Sequence, residues 1–79
     1  MLNEKHDLFD ELPEYRDTII ALNARNEHFA RMFDEYHEIN REVLRIEAEI
    51  EPTSDQYLED QKKRRLMLKD QLYQMIQAV

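Results

Sequence analysis

The chain has 79 residues, enough for one domain and too few for two. Its 11 Lys and Arg against 18 Asp and Glu give a net charge of −7. Phosphate backbones and anionic lipids repel such a chain, so neither is expected as a default partner. The sequence has no cysteine and no glycine. Disulfides, thiolate metal sites and glycine-rich phosphate loops are therefore excluded.

Nothing in the sequence indicates a membrane or secretory segment. The longest strictly apolar run, 19–22, is far shorter than the roughly 20 residues that a membrane span needs. Residues 1–12 carry acidic side chains and lack the apolar core of a signal peptide. We therefore expect a cytoplasmic protein with no membrane contact.

The first predicted helix is short. Residues 1–12 are expected to form a loose lead-in and residues 13–25 a helix, because Pro13 suits a first helical position. Leu8 and Leu12 continue its apolar spacing backwards, which leaves open a helical turn before Pro13. The apolar stripe of this helix comprises Tyr15, Ile19 and Leu22.

A long helix is predicted over 27–50, capped by Asn26. Its apolar residues alternate steps of three and four, which are the a and d positions of heptads. This seam comprises Phe29, Met32, Tyr36, Ile39, Val43, Ile46 and Ile50.

A second long helix is predicted over 54–78. Pro52 cannot continue the preceding helix, and Thr53 with Gln56 has the spacing of a capping box. Its seam comprises Leu58, Gln61, Arg65, Leu68, Leu72, Met75 and Val79. Gln61 and Arg65 interrupt this seam, either by reaching to solvent past a buried stem or by specifying the register.

Two long helices joined by a short turn fold back on each other. The sequence therefore predicts one all-α domain over 1–79, a long antiparallel coiled-coil-like hairpin with a short N-terminal helix. The register is expected to pair Ile50 with Leu58, Val43 with Arg65, Ile39 with Leu68, Tyr36 with Leu72, and Phe29 with Val79.

Several apolar residues lie outside this seam and form what we call the flank. They are Phe33, Leu44, Leu66, Tyr73 and Ile76. A hairpin covers only one stripe of each helix, so the first helix, a second copy or both must cover the flank. Small cores also often depend on association. We therefore predict a homo-oligomer, a dimer or higher, with the flank as its candidate surface and any further protein partner unidentified.

The sharpest charge feature is a basic cluster. It comprises Lys62, Lys63, Arg64 and Arg65, with Lys69 one turn further along. Such a cluster is one mark of nucleic-acid binding. However, four consecutive basic residues encircle a helix, and the predicted register places Glu42, Glu47 and Glu49 beside them. Intramolecular or subunit contacts are therefore the favoured interpretation, with a nucleic-acid-associated factor as the alternative.

No catalytic or metal site is readable in the sequence. Asp34 and His37 have the spacing of the acid-x-x-His pair of di-iron bundles, but both lie off the seam and are expected on a solvated face. His6 and His28 have no Ser or Cys nucleophile in a recognisable relation to them. We predict no enzymatic activity, no cofactor and no bound metal.

With these residues in view, the chain resembles the YdcH-like family, small bacterial proteins grouped as a domain of unknown function. Three blocks carry the resemblance: LPEYRDTIIALNARN, HFARMFDEYHEINREVLRIE and KKRRLMLKDQL. They span nearly all of 12–76. One departure is Glu27, where many members have proline.

The resemblance implies a helical hairpin and a bacterial cytoplasmic setting, and it brings no activity, cofactor or catalytic residue. The residues shared with the family are Tyr15, Arg16, Phe29, Phe33, Lys69 and Asp70. They are either structural or part of a surface that docks a partner. From the sequence we predict a non-catalytic, self-associating structural or adaptor module.

Overall fold

The computed structural model describes residues 7–48 and 54–79. All regular structure in these two ranges is helical, which confirms the all-α prediction for them. The elements are α1 (Leu8–Glu11), a 3-10 turn (Pro13–Tyr15), α2 (Arg16–Arg25), α3 (Glu27–Glu47) and α4 (Asp55–Gln77). The predictions for Glu49, Ile50, Pro52 and Thr53 fall outside the described residues, as does His6. No described helix has both the length and the apolar character needed to cross a membrane.

Side-chain caps fix where the two long helices begin. The Asn26 side chain accepts a hydrogen bond from the Phe29 amide at 3.0 Å, so the predicted cap of α3 is confirmed. The cap of α4 is Ser54, which accepts from the Tyr57 amide at 3.1 Å. The predicted capping box uses Thr53 as its cap, one residue earlier and outside the described residues. Its second member, Gln56, instead donates to Asp60 at 2.9 Å, one turn along the helix.

Helices α3 and α4 are in contact. Lys62, in the first half of α4, contacts Glu47 at the end of α3 at 2.6 Å. Arg64 and Arg65 reach positions earlier in α3. These are the helices that the sequence predicts to pair.

The core follows the predicted seam of α3. All its described members are buried: Phe29, Met32, Tyr36, Ile39, Val43 and Ile46. Helix α4 contributes the predicted Leu68 and Leu72, together with Ile76 at 3% exposure. The sequence assigns Ile76 to the flank, and the structure places it at a buried position. The sequence assigns Val79 to the seam; that assignment is wrong, because α4 ends at Gln77 and Val79 is 81% exposed.

The described part of the lead-in is packed rather than loose. Asp7 caps α1 by accepting from the Asp10 amide at 2.9 Å, and Leu8 is fully buried. The predicted helix over 13–25 opens as a 3-10 turn at Pro13 and continues as α2. Ile19 is also fully buried, and α2 packs against α3 and α4. The N-terminal segment, which we define as residues 7–25, is thus part of the core.

Candidate functional site

The N-terminal segment packs against part of the predicted flank. Phe9 packs edge-on against Phe33, with ring centroids 5.9 Å apart, and Tyr15 packs edge-on against Tyr73 at 5.8 Å. Phe33 and Leu44 are half-buried. Leu66 remains 55% exposed. Two of the five flank residues, Phe33 and Tyr73, thus contact aromatic rings of the N-terminal segment, and Tyr73 is still 39% exposed.

A histidine fixes α1 to α3. The Leu8 amide donates a hydrogen bond to Nε2 of His37 at 3.2 Å, and Nδ1 of His37 lies 2.8 Å from the carbonyl oxygen of Phe33. Because Nε2 accepts, Nδ1 carries the proton and donates to that carbonyl. The expectation of a solvated face is wrong for His37, which is half-buried, and holds for Asp34, which is exposed.

The basic cluster is largely occupied by contacts within the chain. Lys62 pairs with Glu47 as the register predicts, and Arg64 pairs with Glu35. Lys69 bonds to Glu11 of α1 at 3.0 Å. Of the other two predicted neighbours, Glu42 accepts instead from the Tyr57 hydroxyl at 2.7 Å, and Glu49 lies outside the described residues. Lys63 is exposed to solvent.

A polar pair lies inside the α3–α4 contact. Asn40 is only 4% exposed, and its Oδ1 accepts from Nη1 of Arg65 at 2.8 Å. Asn40 is not predicted as a functional residue from the sequence. The feature that could have indicated its burial is its position next to the seam residue Ile39 in the middle of a long helix. A buried amide that is bonded to one partner costs less free energy than an unbonded one. The pair therefore supports the register-specifying interpretation of Arg65.

A cleft of about 260 Å³ opens where α1 meets α4, and we call it the basic cleft. Its lining residues are Glu11, Tyr36, Lys62, Arg65, Leu66 and Lys69. Burial, followed by the negative charge of Glu11, raises the pKa of Tyr36 to about 12. Its phenol therefore keeps its proton at neutral pH. The cleft combines three cations, one carboxylate and a neutral hydroxyl.

A second, wider depression lies between α3 and α4, and we call it the methionine groove. It measures about 490 Å³. Its lining residues are His28, Met32, Glu35, Leu68, Gln71, Gln74, Met75 and Ala78. Met32, Leu68 and Met75 are its large apolar members, and none of the lining belongs to the N-terminal segment. The described residues contain no group of three or more acidic or histidine side chains arranged to hold a metal ion.

The sequence of this chain matches a family of known proteins. The model of the family described as "Protein of unknown function (DUF465)" matches residues 29–76. The uncharacterized protein YdcH of Escherichia coli K12 is 32% identical over 65 residues, which cover 82% of this chain and 88% of YdcH. The YdcH of Shigella flexneri matches to the same extent. No solved structure shows a significant match to the chain.

Proposed function

The chain belongs to the YdcH-like DUF465 family, and we propose that it is a non-catalytic helical interaction module that associates with a second copy of itself through the methionine groove. The frame of the module is the antiparallel, coiled-coil-like hairpin of α3 and α4. Its buried heptad seam and the Arg65–Asn40 bond across the two helices support that frame. The observation that carries the proposal is the groove itself.

The groove offers apolar surface that the N-terminal segment, residues 7–25, does not line. Met32 and Leu68 are buried at its base, while Met75 is half-buried. Methionine is flexible and polarizable, so it adapts to irregular partner surfaces. An open apolar groove between two helices is a common place for another helix to bind. The flank is a weaker candidate than the sequence indicates, because the N-terminal segment already packs on it.

Charge favours a second copy as the occupant. The chain carries a net charge of −7, so most of its surfaces repel one another when two copies approach. The groove differs, because Gln71 and Gln74 are uncharged and Glu35, its one carboxylate, is paired with Arg64. Two copies related by a twofold axis bring identical surfaces together, so a nearly neutral, apolar surface is the one that meets without repulsion.

The alternative of a nucleic-acid-associated factor receives less support. Lys62, Arg64 and Lys69 each contact a carboxylate of the same chain. A phosphate backbone would have to displace these carboxylates on a chain that is acidic overall. No contact among the described residues favours nucleic-acid binding.

Single cysteines test the groove, because the chain has none of its own. Gln71→Cys places a thiol at the edge of the methionine groove, and Lys63→Cys places a matched exposed thiol on the same helix outside it. Under mild oxidation at micromolar concentration, we expect disulfide-linked dimers from Gln71→Cys and few from Lys63→Cys. Equal cross-linking of the two variants, or none in either, would contradict association through the groove.

A further inference from the structure

The basic cleft brings three cations to one face of α4. Lys62, Arg65 and Lys69 are spaced three and four residues apart, so they lie one above another on the helix surface. All three line the cleft, with Tyr36 of α3 opposite them. Its volume of about 260 Å³ is below the range of about 300–1,000 Å³ that is typical for drug-sized ligands. Only a compact ligand fits there.

The cleft keeps positive charge despite its internal contacts. Within residues 7–48 and 54–79, the acceptor that the structure gives Arg65 is the Asn40 amide oxygen, which is neutral. Lys69 is opposed by Glu11, and Lys62 is opposed by Glu47, which does not line the cleft. A guanidinium whose described acceptor is a neutral oxygen keeps its full charge, and this charge attracts an anion from solution.

Glu11 shows that the cleft accommodates an anion. Helix α1 delivers this carboxylate to Lys69, and the two side chains are 26% and 30% exposed. Partly exposed ion pairs are weak and exchange with solutes. An anion from solution can therefore compete with Glu11 for Lys69.

We infer that the basic cleft binds a compact multivalent anion, held by Arg65 with Lys62 and Lys69, and that Glu11 competes with this ligand. The planar guanidinium matches phosphate and carboxylate groups through two parallel hydrogen bonds. Tyr36 lies at the wall of the same cleft. The ligand class is a small phosphate-bearing or polycarboxylate compound.

Calorimetric titration of the full chain at low salt tests this inference, with pyrophosphate and citrate as separate probes. We expect binding of at least one probe, weakened about tenfold or more in Arg65→Gln and in Lys69→Gln. The matched control Lys63→Gln removes the same charge outside the cleft and should bind like the parent chain. Tighter binding of pyrophosphate identifies a phosphate ligand, and tighter binding of citrate identifies a carboxylate.

The variant Glu11→Gln separates binding in the cleft from a general effect of charge or stability. Removing the competing carboxylate should tighten binding, whereas simple loosening of α1 would weaken it. Circular dichroism identifies a variant that fails to fold, and Lys69→Gln then serves in place of Arg65→Gln. Three results would overturn the inference: no binding of either probe, equal weakening in Lys63→Gln, or weaker binding to Glu11→Gln than to the parent chain.

Discussion

The backbone amide of Leu8 donates a hydrogen bond to Nε2 of His37, 29 residues away along the chain, at 3.2 Å. The same ring uses Nδ1 to donate to the carbonyl of Phe33. His37 therefore satisfies a free amide at the start of α1 while its orientation is fixed by α3. These two hydrogen bonds, together with the buried Leu8 side chain, hold α1 against α3.

Replacing His37 with Leu should loosen α1 without unfolding the long helices. The substitution removes the acceptor that the described residues provide for the Leu8 amide, and an unpaired amide of this kind costs about 1–3 kcal/mol when it stays buried. We expect faster hydrogen exchange at the amides of α1 and little change in the middle of α4, which serves as the internal control. Unchanged exchange in α1 would show that packing alone holds it.

The buried Asn40–Arg65 pair should behave as a coupled unit. Arg65→Met leaves the amide of Asn40 buried without its partner, which we expect to cost about 1–3 kcal/mol of unfolding free energy. The double variant with Asn40→Leu should lose less than the two single variants added together. Urea unfolding of all four proteins measures this coupling. Strict additivity would mean that the hydrogen bond does not stabilise the helix contact.

Alkaline pH should destabilise the fold through Tyr36. Burial raises the pKa of Tyr36 to about 12 from 10.0, so the folded chain holds this proton more tightly than the unfolded chain. The resulting stability is complete below pH 10 and is lost as the pH rises toward 12, with an upper bound of about 3 kcal/mol.

Thermal unfolding between pH 9 and pH 12 checks this dependence against Tyr36→Phe. The variant should lose less stability over that interval than the parent chain. A smaller alkaline effect should persist, because a hydrogen bond with Tyr15 also raises the pKa of the exposed Tyr73. Parallel stability curves for the two proteins would mean that Tyr36 titrates as it does in the unfolded chain.

Ser54→Ala should destabilise α4 at its first turn. The serine oxygen accepts from the Tyr57 amide, and loss of such a cap typically costs about 1 kcal/mol. Gln56→Ala removes only an exposed hydrogen bond to Asp60 and should cost roughly 0.2–0.5 kcal/mol. Chemical denaturation distinguishes the two. A larger loss in Gln56→Ala would favour the capping box that the sequence predicts.

The long helices were predictable because their signals are local and repeated. All the described α3 residues that the three-four spacing assigns to the seam are buried. Asn26 marks the start of α3 by its side-chain cap, and Pro13 marks the start of the 3-10 turn. At the end of α4, however, a stripe of this kind does not say which residue is the last to be covered. The predicted seam therefore runs on to Val79, which is exposed, while Ile76, outside the predicted seam, is buried.

The N-terminal contacts were not predictable in the same way. The bonds from Leu8 to His37 and from Glu11 to Lys69 join residues that are 29 and 58 positions apart. The spacing of apolar residues within one helix does not predict which part of the fold the four-residue helix α1 packs against. The basic cleft depends on that docking, and so does the coverage of the flank. Within the described residues, the N-terminal segment contributes nothing to the lining of the methionine groove.

The most direct test of self-association is the solution mass, measured by light scattering on a size-exclusion column over a concentration series. If the chain associates through the methionine groove, we expect the 9.7 kDa chain to form a species of at least twice that mass. Met75→Glu should return it to the single-chain mass, whereas Met67→Glu, an equivalent change at an exposed position outside the groove, should not. A folded protein that stays at 9.7 kDa at every concentration would contradict the account.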